Sequence, residues 1–120
     1  MSFHNFFETL SKKYLTNPTS QIEIPADSGD IIRCHLLFVG IVQCVGFRYE
    51  ALRLANHLHL TGWVRNMENE SVVTMELQGT PERIDCLIQE MNAIPRIVID
   101  RIDRTQIPII KDETAFNVVY

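Results

Sequence analysis

The sequence predicts an α+β sandwich in the order β-α-β-β-α-β, an antiparallel sheet with two helices on one face, preceded by an N-terminal extension. Three observations carry the prediction. Two segments place apolar residues at helical spacing. Short β-branched runs with turn residues at their ends flank them. Breaker-rich stretches set residues 1–30 apart from the rest of the 120-residue chain, which is long enough for one domain with a core of its own.

Within residues 1–30, Phe3, Phe6, Phe7, Leu10 and Tyr14 fall on one helical stripe, followed by the breakers Asn17, Pro18 and Pro25. This reads as a short amphipathic helix on a linker. Its stripe is expected to pack on the domain's own surface, with self-association or a partner contact as the alternative. Residues 31–39 form an apolar, β-branched run ending at Gly40, a buried strand. Phe47, Ala51, Leu54, Ala55 and Leu58 then repeat on one helical face, with a stop expected near Gly62. Residues 63–66 and 72–78 read as two short strands, joined by a polar turn at Glu68-Asn69-Glu70-Ser71. Thr80 and Pro81 supply an N-cap and a first-turn proline, and Ile84, Leu87, Ile88 and Met91 make the second helical stripe. Residues 97–107 read as a strand, and Phe116, Val118 and Tyr120 alternate on a last one. Two βαβ-like halves around a central hairpin suggest a ferredoxin-like sandwich, with 31–120 as the domain. That fold hosts many activities and decides none of them.

Composition narrows the function classes. With 11 Lys and Arg against 15 Asp and Glu, the formal charge is −4, so no global field recruits nucleic acid or anionic lipid, and any anion site must be local. The strands lack the exposed aromatic pairs of an RNA-binding sheet. No stretch approaches the ~18 apolar residues of a membrane span, and no secretory signal is evident at the N-terminus. Cys34, Cys44 and Cys86 are an odd number without a C-x-x-C pair, which argues against a disulfide framework or zinc site and points to the cytoplasm. No cofactor or metal is expected.

The informative segment is V-Q-C-V-G-F-R over residues 42–48, where a buried strand hands over to a helix. Backbone N–H groups there have no partners within the helix, and an anion is their natural occupant. Gly46 permits close backbone approach, and Arg48 can grip two phosphate oxygens with its planar fork.

This loop resembles the acylphosphatase signature V-Q-G-V-x-F-R. The segment L-T-G-W-V-R-N over residues 60–66 resembles that family's second signature, L-x-G-W-V-x-N. Arg48 and Asn66 lie 18 positions apart, a separation similar to the family's. The resemblance runs over residues 31–120. It implies that Arg48 and the backbone of Gln43, Cys44, Val45, Gly46 and Phe47 bind the phosphoryl group, while Asn66 positions a water for in-line attack. The substrate would be a small acyl phosphate, and inorganic phosphate would be product and inhibitor. The chemistry is consistent with this: a carboxylate leaves readily, so charge neutralisation and water placement suffice without an acid–base pair. A catalytically weak or silent relative that binds a phosphorylated ligand or protein partner is the alternative.

Two departures from the pattern stand out. Cys44 replaces the family glycine, either as a small loop residue or as a reactive thiol beside the anion site. The hairpin glycine gives way to Asn69-Glu70-Ser71, where Asn can adopt the left-handed conformation. Cys34 and Cys86 read as buried fillers, and Glu68, Glu70 and Glu76 as a solvated hairpin. His35, His57 and His59 lack metal-ligand spacing, and Trp63 reads as packing.

Overall fold

The computed structural model describes residues 22–120. The stripe from Phe3 to Tyr14 therefore lies outside the described residues. The elements are β1 (Ile32–Ile41), α1 (Phe47–His57), β2 (Thr61–Asn66), β3 (Val72–Gly79), α2 (Pro81–Asn92), β4 (Val98–Ile107) and β5 (Phe116–Val119).

Side chains alternate across a strand, so one parity of each strand faces the helices. On β1 these are Cys34, Leu36 and Phe38, which stand opposite Leu77, Met75 and Val73 of β3. They share a buried cluster with Ala51, Leu54 and Ala55 of α1 and Ile84, Leu87 and Met91 of α2. Both helices thus cover the same face. Phe47, the first residue of α1, packs edge-on against Phe38 with ring centroids 5.0 Å apart, which pins the start of that helix to the sheet.

The strand order is β4-β1-β3-β2-β5. The first four strands are antiparallel, as expected, but β5 runs parallel to β2, so the sheet is mixed. The cause is topological. β4 lies beside β1 at one edge, and the chain crosses to the opposite edge and starts β5 at the end where β4 stopped, which sets it parallel to β2. Its connection is clasped on the sheet's outer face. Ile110 N–H donates to Gln78 Oε1 at 2.8 Å while Gln78 Nε2 donates to the Ile110 carbonyl at 2.9 Å. Arg33 Nη1 also donates to Glu113 Oε1 at 2.8 Å.

Several local expectations change. Thr80 precedes α2 as predicted, but its hydroxyl donates to Asp27 Oδ1 at 2.8 Å rather than capping the helix. Asn69 is not left-handed: its Oδ1 accepts the Ser71 N–H at 3.0 Å, an Asx turn that closes the hairpin without positive φ. Cys34 is buried as expected, whereas Cys86 is half-buried and burial pushes its thiol pKa up, with Glu90 adding to the effect. Residues ahead of β1 are tied to the helices: the Ile22 carbonyl lies 2.7 Å from His57 Nε2, and Asp27 pairs with Arg83 at 2.6 Å. Hydrogen bonds from Arg83 and then Thr80 hold the Asp27 carboxyl below its ordinary value.

Glu76 is the largest departure, because it is an ion-pair partner rather than a solvated hairpin residue. It accepts from the wholly buried Arg33 through Nε at 2.9 Å, and its other oxygen lies 3.0 Å from His35 Nδ1. Burial pushes the Glu76 carboxyl up, but hydrogen bonds with His35 and Arg33 outweigh it, so the pKa lies below the ordinary 4.5. A folded-state pKa below the unfolded one adds stability above the unfolded value, and that stability is lost as pH falls through the folded value. Glu76→Gln should therefore flatten the acid limb of stability below pH ~4.5 and cost roughly 1.5–3 kcal/mol at neutral pH, the range for a hydrogen bond to a charged group. Thermal midpoints between about pH 3 and pH 7 test this, and an unchanged acid limb would refute it.

Candidate active site

β1 hands over to α1 through residues 42–46, and each end of this loop is fixed. At its start the β1–β4 register shifts between Val39 and Gly40. Gly40 has φ 151°, and a Cβ there would strike the Val98 carbonyl. Within the loop, Gln43 Nε2 lies 2.8, 3.1 and 2.9 Å from the carbonyls of Met67, Asn69 and Val72. Its side chain therefore fastens the loop to the β2–β3 hairpin. The Val45 carbonyl accepts from Arg96 Nε at 3.3 Å.

Cys44 (φ 61°) and Gly46 (φ 78°) are both left-handed. Alternation of left-handed with ordinary residues curls successive amides into a concavity suited to an anion. Among the described residues, no amide from 43 to 48 donates to a backbone carbonyl. The first turn of α1 adds its own free N–H groups and the positive end of the helix dipole.

Arg48, in that first turn, makes no ion pair or hydrogen bond among the described residues. By contrast Arg33, Arg53, Arg83, Arg101 and Arg104 all pair with carboxylates. Its guanidinium instead lies over the ring of Tyr120, 5.0 Å from the centroid. Asn66 closes β2, and its Oδ1 is buried without a hydrogen-bond partner among the described residues. An acceptor left so costs about 1–3 kcal/mol.

Arg48 and Asn66 line one cleft of about 310 Å³, together with Cys44, Gly46 and Phe47. The structure thus brings together five of the seven residues singled out from the sequence. Gln43 and Val45 are not in the lining: one side chain is spent on the hairpin, and the other packs against the core. Sequence reasoning did not assign Tyr49, Leu52, Val118 and Tyr120 to the site, yet all four line the cleft. Their signal was the helical spacing of Leu52 from Arg48 and the strand spacing of Val118 and Tyr120. No cluster of three His, Cys, Asp or Glu side chains suited to a metal occurs among the described residues.

Cys44 holds a conformation that costs a non-glycine residue about 1–2 kcal/mol. Its side chain is exposed and offers little packing in return. Cys44→Gly should accordingly stabilise the fold by about 1 kcal/mol, roughly 4–8 °C in thermal midpoint for a domain of this size. A lower midpoint would show that the cysteine makes contacts outweighing its strain.

A profile of the acylphosphatase family matches residues 34–118. An acylphosphatase of Bifidobacterium longum is 37% identical over 89 residues, covering 73% of this chain and 90% of that protein. One from Caldivirga maquilingensis is 34% identical over 93 residues, covering 77% of this chain and 98% of that one. The solved structure of an acylphosphatase from Coxiella burnetii is similar with a TM-score of 0.67 and 25% identity, covering 80% of this chain and 100% of that chain.

Proposed function

The chain belongs to the acylphosphatase family, and on that premise we propose that it hydrolyses acyl phosphates at the cleft between the 42–48 loop and Asn66. The phosphoryl group sits against the loop amides from 43 to 47, with Arg48 gripping its oxygens. Asn66 Oδ1 accepts a hydrogen bond from a water and holds it in line with the scissile bond. The water oxygen forms the new P–O bond, and the bond from phosphorus to the bridging oxygen breaks. The bonding pair leaves with the carboxylate, and the water's proton ends on phosphate or solvent. The products are a carboxylate and inorganic phosphate, and phosphate competes with substrate. Charge developing on the equatorial oxygens meets donors already fixed in place, so little reorganisation is needed.

One observation supports this reading above the others: a buried acceptor, Asn66 Oδ1, shares a small cleft with Arg48, and among the described residues neither has a hydrogen-bond or ion-pair partner. Such an acceptor is costly unless something that donates comes to it. Release of phosphate from benzoyl phosphate, with and without EDTA, is the test. The expected result is rapid release that EDTA does not change. Phosphate binding without turnover would mark the chain as a silent relative instead.

Residues 31–120 are read as the catalytic unit and 1–30 as an extension. Three free cysteines suit a reducing cytoplasm. Cys44, exposed in the cleft, should be alkylated by iodoacetamide with loss of activity, and bound phosphate should slow that loss. Inactivation that persists in Cys44→Ser would place the reactive thiol elsewhere.

A further inference from the structure

The phosphate-binding loop occupies one end of the cleft, and the remainder is a slot between two elements. Arg48 and Leu52 lie about one turn apart on the same face of α1, about 6 Å along its axis. Val118 lies on β5, and Tyr120 follows just beyond its end, two residues on. All four line the cleft. The slot therefore runs away from the loop with α1 as one wall and β5 as the other. Leu52 and Val118 are half-buried within it. At its mouth Tyr49 and Tyr120 expose 67% and 92% of their surface, so two aromatic rings border the opening.

Its charge is as informative as its shape. Of the described residues lining the cleft, only Arg48 is charged. Once the phosphoryl group takes that guanidinium, none of the described residues lining the slot offers a second cation to another anionic group on the substrate. The slot offers apolar carbon and aromatic rings to the acyl portion. A volume of about 310 Å³ holds a phosphoryl group with a small ring, and lies at the low end of the ~300–1,000 Å³ typical of small-molecule sites.

We infer that Leu52 and Val118, with the rings of Tyr49 and Tyr120, form an acyl-group subsite that selects uncharged apolar or aromatic acyl phosphates over acetyl phosphate and over acyl phosphates carrying a second anion. The inference rests on the acyl phosphate reading above, and binding and turnover separate the two. Benzoylphosphonate, acetylphosphonate and succinylphosphonate replace the labile oxygen bridge with a C–P bond, so their affinities can be measured by calorimetry without reaction. The full chain should bind benzoylphosphonate about tenfold or more tightly than acetylphosphonate, and succinylphosphonate no better than acetylphosphonate. Leu52→Ala and Val118→Ala should each bring the benzoyl-to-acetyl ratio towards one. A ratio is read within one sample, so a reduced folded fraction does not imitate its loss. Equal affinities in the unmodified chain, a preference surviving both substitutions, or tighter binding of succinylphosphonate than of benzoylphosphonate would each overturn the subsite. Preferential benzoylphosphonate binding without hydrolysis of benzoyl phosphate would leave the subsite standing and remove the enzymatic reading. Hydrolysis without preference would do the reverse.

Discussion

Arg48→Ala should lower kcat/KM for benzoyl phosphate by about 10²–10³-fold, the loss expected when one donor to a developing oxyanion is removed. Inhibition by inorganic phosphate should weaken with it, because the same guanidinium faces the anion in the ground state. The fold should be spared. Among the described residues Arg48 supports nothing except its contact with the Tyr120 ring, so the thermal midpoint should barely move. Arg48→Lys should recover little of the rate, since an ammonium lacks the planar fork that meets two oxygens at once. An alanine variant retaining more than about a tenth of the activity would remove Arg48 from the transition state.

Asn66→Ala should separate rate from binding. Its proposed partner is the attacking water, so kcat should fall about 100-fold while the inhibition constant for phosphate stays near its original value. Stability makes the test sharper. The side chain carries a buried oxygen with no partner among the described residues, and deleting it removes a desolvation cost of about 1–3 kcal/mol. The variant should therefore be as stable as the parent or more so, though nearly inactive. A parallel fall of rate and phosphate affinity would make Asn66 a binding group. A large loss of stability would make it a structural one.

The two helices, the central hairpin and the four antiparallel strands were legible because period 3.6 and period 2 are properties of local sequence. β5 was legible as a strand but not in its direction. Alternation at Phe116 and Val118 says which side faces the core, and is silent on which neighbour pairs and how. Glu76 was misread for the same reason: only the β1–β3 register sets His35 against it and places Arg33 diagonally across. At the site, Arg48 and Asn66 came from two motifs in order. The left-handed backbone at Cys44 could be posed from sequence only as a condition, since a φ angle is set by the loop's closure and not by the residue occupying it. The far wall of the cleft was missed because Leu52, Val118 and Tyr120 look like ordinary apolar periodicity until β5 is placed beside β2.

The tether of Gln43 bears on how this protein can vary over evolutionary time. Its amide reaches only main-chain oxygens, those of Met67, Asn69 and Val72. Every residue type supplies the same oxygen, so the grip is indifferent to side-chain identity across the hairpin. Substitutions there can accumulate without loosening the loop, provided the backbone path is kept. An inserted or deleted residue between 67 and 72 would displace all three acceptors together. Apart from Asn69, whose side chain closes the turn, the hairpin is free in spelling and bound in length, and drift in this lineage should appear there as exchanges rather than gaps.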